Sequence, residues 1–187
     1  MLAESLRSVP TGTPGVYCLY DLDGAPAYAG QSSQLRSRLR QHFIRQDSSV
    51  VSYGRLDIWD ISRFEWWKTD DRDAAEQALL SHHSPYLNVG TGSDELTSNP
   101  PIDLSNPDGE VRLISAEEEA FRAEPYTRSK QKLEHLSRMV DKIKLAGHSD
   151  DTKRTLYEHH RILKANLAEF LALEDPHQSD VEEWSDS

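Results

Sequence analysis

The stretch GVYCLYDLDGAPAYAGQSSQLRSRLRQHF, Gly15 to Phe43, constrains the fold more than any other part of the chain. Its first seven residues alternate small apolar and aromatic side chains, the pattern of a strand. Asp23–Gly24 follows, and an Asp-Gly pair between two such runs signals a hairpin, because glycine accepts positive φ. AYAGQS reads as the returning strand. Beyond it, Leu35, Leu39 and Phe43 recur at four-residue intervals, which predicts a helix with one buried stripe. Ser32 or Ser33 is placed to cap its start.

DIWDISRFEWWKT, rich in aromatic and β-branched residues, predicts a third strand. TDDRDAAEQALLSHHSP predicts a second helix that starts near Asp70 or Asp71 and stops before Pro85. Residues 1–90 thus form a compact β-β-α-β-α unit, and the fold class is α+β. Residues 91–114, with Gly, Ser, Asn and Pro clusters and no period, read as a linker. Leu133, Leu136, Val140 and Ile143 then step like a coiled-coil seam, and Leu156, Leu163, Leu167 and Phe170 make a second stripe. Residues 115–173 therefore read as an α-helical hairpin, an accessory region for DNA binding or dimerisation. Residues 174–187 are acidic, serine-rich and read as a disordered tail.

The formal net charge of −11 at first argues against a nucleic-acid partner, since phosphate affinity needs Lys and Arg. The charge is uneven, however. Counting Lys and Arg against Asp and Glu gives −2 for residues 1–90, −7 for 91–125, +5 for 126–165 and −7 for 166–187. A site responds to local field rather than to the total. There is no long apolar run for a membrane span and no apolar block near the start, and the lone Cys18 cannot pair internally. A cytoplasmic protein is expected, with no membrane partner.

Several chemistry-bearing side chains fall where this fold can gather them. Tyr17 and Tyr28 lie on the two hairpin strands. Arg38 and His42 are four apart on the following helix and share a face. Glu76 is early in the second helix, and Asn88 lies just past its end. A carboxylate, a guanidinium, an imidazole and two phenols suit phosphodiester hydrolysis. The carboxylate suits a hard divalent cation, the arginine suits a phosphate, and a phenol can take a proton from water.

These residues also carry a family resemblance. GVY at 15–17 and YAG at 28–30 resemble the two signature tripeptides of the GIY-YIG nucleases. Gly30, Ser32, Leu35, Arg38, Leu39 and His42 then follow in the family's order, and Glu76, Pro85 and Asn88 complete it. The resemblance implies a DNA endonuclease with one divalent metal, Mg2+ (or Mn2+), held by Glu76. It implies phosphate contact by Arg38, water activation by Tyr17 or Tyr28, proton transfer or phosphate contact by His42, and bracing by Asn88. Val16 and Ala29 change the middle letter of each tripeptide. Gln31 stands where many members have lysine, and Arg36 or Arg40 is the expected substitute charge. Lys130, Arg138 and Lys142 on the basic hairpin are candidates to track duplex DNA, and the same helices are candidates for a homodimer.

Blander readings apply elsewhere. Trp59, Trp66 and Trp67 suit core packing better than base stacking. Asp70, Asp71 and Asp73 suit a helix start. His82 and His83 have no cysteine partner for a metal site. A chain this short with no zinc motif favours restriction or phage defence among the family's uses, over mobile-element nicking and DNA repair. The rivals are a non-catalytic nucleic-acid or protein binding module on the same fold, and an RNA substrate.

Overall fold

The Gly15–Asp21 run forms a strand, β1, with all seven residues buried, because it lies in the interior of a sheet with both faces covered. Its alternation sends Tyr17 and Leu19 into one apolar layer and Val16, Cys18 and Tyr20 into another. The computed structural model describes residues 2–88, 100–146 and 149–172. β2 (Pro26–Ser32) returns antiparallel to β1 through a turn in which Gly24 takes φ 76°. The Asp21 carboxylate accepts the backbone N–H groups of Asp23 and Ala25 at 3.0 and 2.8 Å, which ties the turn to its own strand.

Helix α1 (Leu35–Arg40) buries Leu35 and Leu39 in the Tyr17 layer, as the four-residue spacing predicts. Its cap residue is Gln34 rather than Ser32 or Ser33, with no side-chain cap; the Ser32 hydroxyl accepts the Gln34 N–H one step earlier. The helix does not simply continue to Phe43. Residues Gln41–Arg45 open into a wider π turn, a local expansion often found at functional sites. β3 (Ile61–Lys68) pairs antiparallel with the other edge of β1, and Trp66 and Trp67 pack into opposite layers. Helix α2 (Arg72–His83) starts after Asp71, whose carboxylate accepts the Ala74 N–H, and covers the Val16 face with Ala75 and Leu79. After it, Tyr86 and Leu87 donate their backbone N–H groups to Pro26 and Ala27 carbonyls, so the free edge of β2 is partly closed.

A fourth strand completes the sheet in the order β2-β1-β3-β4. β4 (Gly109–Arg112) lies inside the stretch that reads as a linker, and only Val111 of its four residues is buried. So short an edge strand carries no periodic signal. Its start is fitted by the absence of a side chain: a Cβ at Gly109 would lie 2.6 Å from Nε1 of Trp66. The fold is therefore α+β, with a four-stranded antiparallel sheet followed by helices.

The C-terminal helices are α3 (Ala116–Ala123), α4 (Pro125–Ala146) and α5 (Asp150–Phe170). α4 and α5 run antiparallel, with Tyr126 against Phe170 at the open end and His135 against His159 near the middle. Only half of the expected apolar seam on α4 is shielded: Leu136 and Ile143 are partly buried. Leu133 and Val140 are 52% and 53% exposed, whereas Arg128, Ser129, Lys132, His135 and Met139 are buried. The cause is the core they meet. Arg128 donates to Asp60 and Asp23 at 2.9 and 2.7 Å, and Lys132 donates to Asp57 and Asp60 at 2.8 and 3.2 Å. Buried carboxylates in the loop before β3 select the cationic face of the helix over the apolar one. The acidic tail at 174–187 lies outside the described residues.

Candidate active site

Tyr17 faces Gly30 across the β1–β2 ladder, and Tyr28 faces Leu19, so the two phenols are diagonal neighbours with ring centroids 6.3 Å apart. Gly30 makes this arrangement possible. A Cβ there would lie 2.6 Å from the Tyr17 hydroxyl oxygen and 3.1 Å from the Tyr28 ring. Gly15 has a similar constraint, since a Cβ there would meet the Trp67 carbonyl oxygen at 2.1 Å. The glycines of the two tripeptides are thus required by close approach.

The π turn brings His42 to Tyr17. Nε2 of His42 is 2.6 Å from the Tyr17 oxygen, and Nδ1 is 2.8 Å from the Ser48 hydroxyl. The ring also contacts Tyr28 edge-on, with centroids 6.3 Å apart. Burial, aided by the nearby Arg38 charge, pushes the His42 pKa down to about 4, so the imidazole is neutral near pH 7. In the neutral tautomer whose Nδ1–H donates to Ser48, Nε2 accepts the hydrogen bond of the Tyr17 hydroxyl. Ser48 is a partner that nothing in the sequence pattern singles out.

Tyr17 is 1% exposed, and burial holds its hydroxyl well above the ordinary phenol pKa; Arg38 opposes that rise and Glu76 adds to it. Tyr28 is half-buried, and burial and Glu76 raise its pKa against the opposing charges of Arg55 and Arg38. Arg38, Glu76 and both tyrosines therefore share one electrostatic neighbourhood. Glu76 itself is half-buried. Burial raises its pKa, while Gln31 opposes this by donating to Oε2 at 2.9 Å. Gln31 also donates to Asp73 at 2.7 Å, so it orients the carboxylates and offers no charge. Asn88 makes both hydrogen bonds to the backbone of Ala29, at 2.8 and 2.9 Å, between Tyr28 and Gly30.

Other expected residues lie elsewhere. The Arg36 guanidinium donates to the carbonyls of Val9 and Arg7, and Arg40 shares a shallow groove with it beside Thr11 and Gly12. Arg138 and Lys142 line a 440 Å³ groove between α4 and the 51–59 segment, together with Gln46 and Trp59. Lys130 lines a separate groove with Trp59, Phe121 and Tyr126. His82 and His83 are in edge contact with each other, 4.7 Å between centroids, and His83 packs near Tyr20 and Trp67. Among the described residues no cluster of three His, Cys, Asp or Glu could hold a metal. The oxygen-only donor set at Glu76 still fits a hard cation that keeps most of its water and is bound through one or two carboxylates plus substrate phosphate. Among the described residues no helix is long and apolar enough to cross a membrane.

No family model matches the chain. Curated relatives do match. UvrABC system protein C of Caldicellulosiruptor saccharolyticus is 38% identical over 91 residues, which is 47% of this chain and 15% of that protein. UvrABC system protein C of Moorella thermoacetica is 33% identical over 101 residues, 50% of this chain and 15% of the relative. Its counterpart in Acidobacterium capsulatum is 31% identical over 90 residues, 47% of this chain and 14% of the relative. The similarity therefore covers about half of this chain and a small part of each relative's length.

Proposed function

We propose that the chain is a divalent-metal-dependent DNA endonuclease of the GIY-YIG type that hydrolyses phosphodiester bonds. The observation that carries this reading is the Ser48–His42–Tyr17 hydrogen-bonded chain set beside Tyr28, Arg38 and Glu76. Burial disfavours a standing Tyr17 phenolate, so the tyrosine works as a relay. The water proton moves to the Tyr17 oxygen as the Tyr17 proton moves to Nε2 of His42. The resulting hydroxide attacks phosphorus, the P–O bond to the leaving group breaks, and the leaving oxygen takes a proton from solvent. His42 then returns its proton to solvent. Arg38 offers its donor fork to the phosphate as charge develops. Glu76 would hold Mg2+ or Mn2+, which when bound neutralises phosphate charge. Asn88 fixes β2, and with it Tyr28.

Likeness to proteins of a UvrABC system supports strand nicking of the repair type over restriction or phage defence. Duplex DNA in the cytoplasm is the proposed substrate, with Arg138 and Lys142 flanking it. Two copies meeting along the outward Leu133–Val140 stripe would be a route to cutting both strands.

Nicking of supercoiled plasmid with magnesium tests the reading. Glu76→Ala is expected to lower the rate by about 10²-fold or more while the protein stays folded and binds DNA. Equal behaviour of the two proteins would leave a binding module without catalysis. Tyr17→Phe retains the ring in its Gly30 slot but removes the relay. A loss of about 10²–10⁴-fold is expected, and a near-normal rate would eliminate Tyr17 as the proton carrier.

A further inference from the structure

A second arginine lies on the segment that supplies Ser48 to His42, in a part of the chain that no motif marks. Arg55 follows Gly54 in the loop between a single helical turn at Ser49–Ser52 and β3. The loop is clamped by the C-terminal helices. Nε2 of His135 on α4 lies 2.8 Å from the Gly54 carbonyl oxygen, and Nε2 of His159 on α5 lies 3.1 Å from the Arg55 carbonyl oxygen. The two imidazoles stack edge-on, 4.6 Å between centroids. Gly54 takes φ 76°, and a Cβ there would lie 2.9 Å from Met139, so α4 also fixes the loop sterically. Leu56 is buried and donates its N–H to Val50. An arginine is thus carried on a backbone held at consecutive carbonyls.

Nε of Arg55 is shielded from water with no hydrogen bond, and among the described residues no ion pair involves Arg55. By contrast, Arg128 and Lys132 nearby are fully engaged with carboxylates. A shielded guanidinium N–H without an acceptor costs desolvation free energy and gains nothing in the free protein. The same segment opens with Ser48, whose hydroxyl lies 2.8 Å from Nδ1 of His42, so Arg55 is carried on a stretch that already reaches the site, and its charge opposes the burial that raises the Tyr28 pKa. Arg55 and Arg38 both oppose the rise of the Tyr28 pKa, and Gln31, bonded to Glu76 and Asp73, adds no charge of its own.

We infer that Arg55 is a second phosphate-contacting residue of the site, and that α4 and α5 complete the site by holding its loop through His135 and His159. The ligand class is the oxyanion of a phosphodiester, which would accept the unsatisfied guanidinium donors. The inference rests on the nuclease reading and extends it: the C-terminal helices become part of the catalytic apparatus as well as a surface for DNA.

The test uses the full chain and three variants, Arg55→Ala, Arg55→Lys and, as a control, the exposed Arg161→Ala. Nicking of supercoiled plasmid is measured with magnesium. Binding to a labelled duplex is measured in EDTA at several salt concentrations. Arg55→Ala should lose about 10- to 100-fold in nicking rate and lower the salt slope of binding by about one phosphate contact. Arg55→Lys should retain the slope and lose rate, because a point charge replaces the planar fork. The urea midpoint of Arg55→Ala should equal or exceed that of the wild type, since a purely structural arginine would lower it. Arg161→Ala should match the wild type throughout. If wild type nicks, Glu76→Ala does not, and Arg55→Ala nicks and binds normally, this inference is overturned and the nuclease reading stands. If wild type fails to nick, both fall together.

Discussion

Lys132→Met should cost the folded protein about 3–5 kcal/mol, read as a drop in unfolding free energy by urea titration. Lys132 is 1% exposed and its ammonium serves two buried carboxylates, Asp57 and Asp60. Burial alone would raise the Asp57 pKa, but Lys132, helped by His135, outweighs it and holds the carboxyl well below its ordinary value. Methionine matches the lysine stem in length and removes only the charge. It leaves Asp57 without its cation, and Asp60 with Arg128 alone, in a low-dielectric interior where water is not at hand to solvate the charge. Adding Asp57→Asn to Lys132→Met should recover part of the loss, because the orphaned charge goes with it while Asp60 keeps its pair with Arg128. A Lys132→Met protein as stable as the wild type would show that the pair is solvated and that α4 is held by other contacts. The same argument applies to larger deletions. A chain ending before residue 115 loses both Arg128 and Lys132, so residues 1–114 should be less stable than the whole by at least as much.

The parts of the site that were legible in the sequence are those set by local geometry. The Asp23–Gly24 turn, the alternation in β1 and the Arg38–His42 spacing each follow from a period or a turn rule. Asn88 was legible only through the family pattern that it completes after Glu76 and Pro85; its bonds to the Ala29 backbone depend on the tertiary fold. What escaped depends on tertiary burial. The π turn at Gln41–Arg45 has no compositional mark, yet it delivers His42 to Tyr17. β4 is too short for a period. On α4, Leu136 and Ile143 of the expected seam are partly buried, but Leu133 and Val140 stay outward, because two buried aspartates from a different part of the chain turn Arg128 and Lys132 inward. Arg36 has the composition of a phosphate-facing residue, and its donors are taken by backbone carbonyls. Arg55, isolated in a loop, offered no pattern at all.

Acidification from pH 7 to pH 5 should lower the unfolding free energy by about 2 kcal/mol through His42 alone, with more from His159 and His135. Burial depresses the pKa of all three, that of His42 to about 4, and that of His159 well below its ordinary value. The native state therefore keeps these imidazoles neutral while the unfolded chain protonates them near pH 6.5. As pH falls through that value the unfolded state binds protons first, so stability is present above about 6.5 and is lost progressively towards about 4. Asp57 does not reverse the trend in this window, because Lys132 holds its pKa below the ordinary value and it stays ionised there. Urea midpoints at pH 7, 6 and 5 provide the measurement, and a flat or rising profile would contradict the burial of these rings. His42→Gln should flatten the slope. The two events also differ in order. His42 must be neutral to accept the Tyr17 proton, and with its pKa near 4 it remains so at pH 5. Nicking per folded molecule should thus survive acidification that already weakens the fold, and activity should fall with the folded fraction rather than ahead of it.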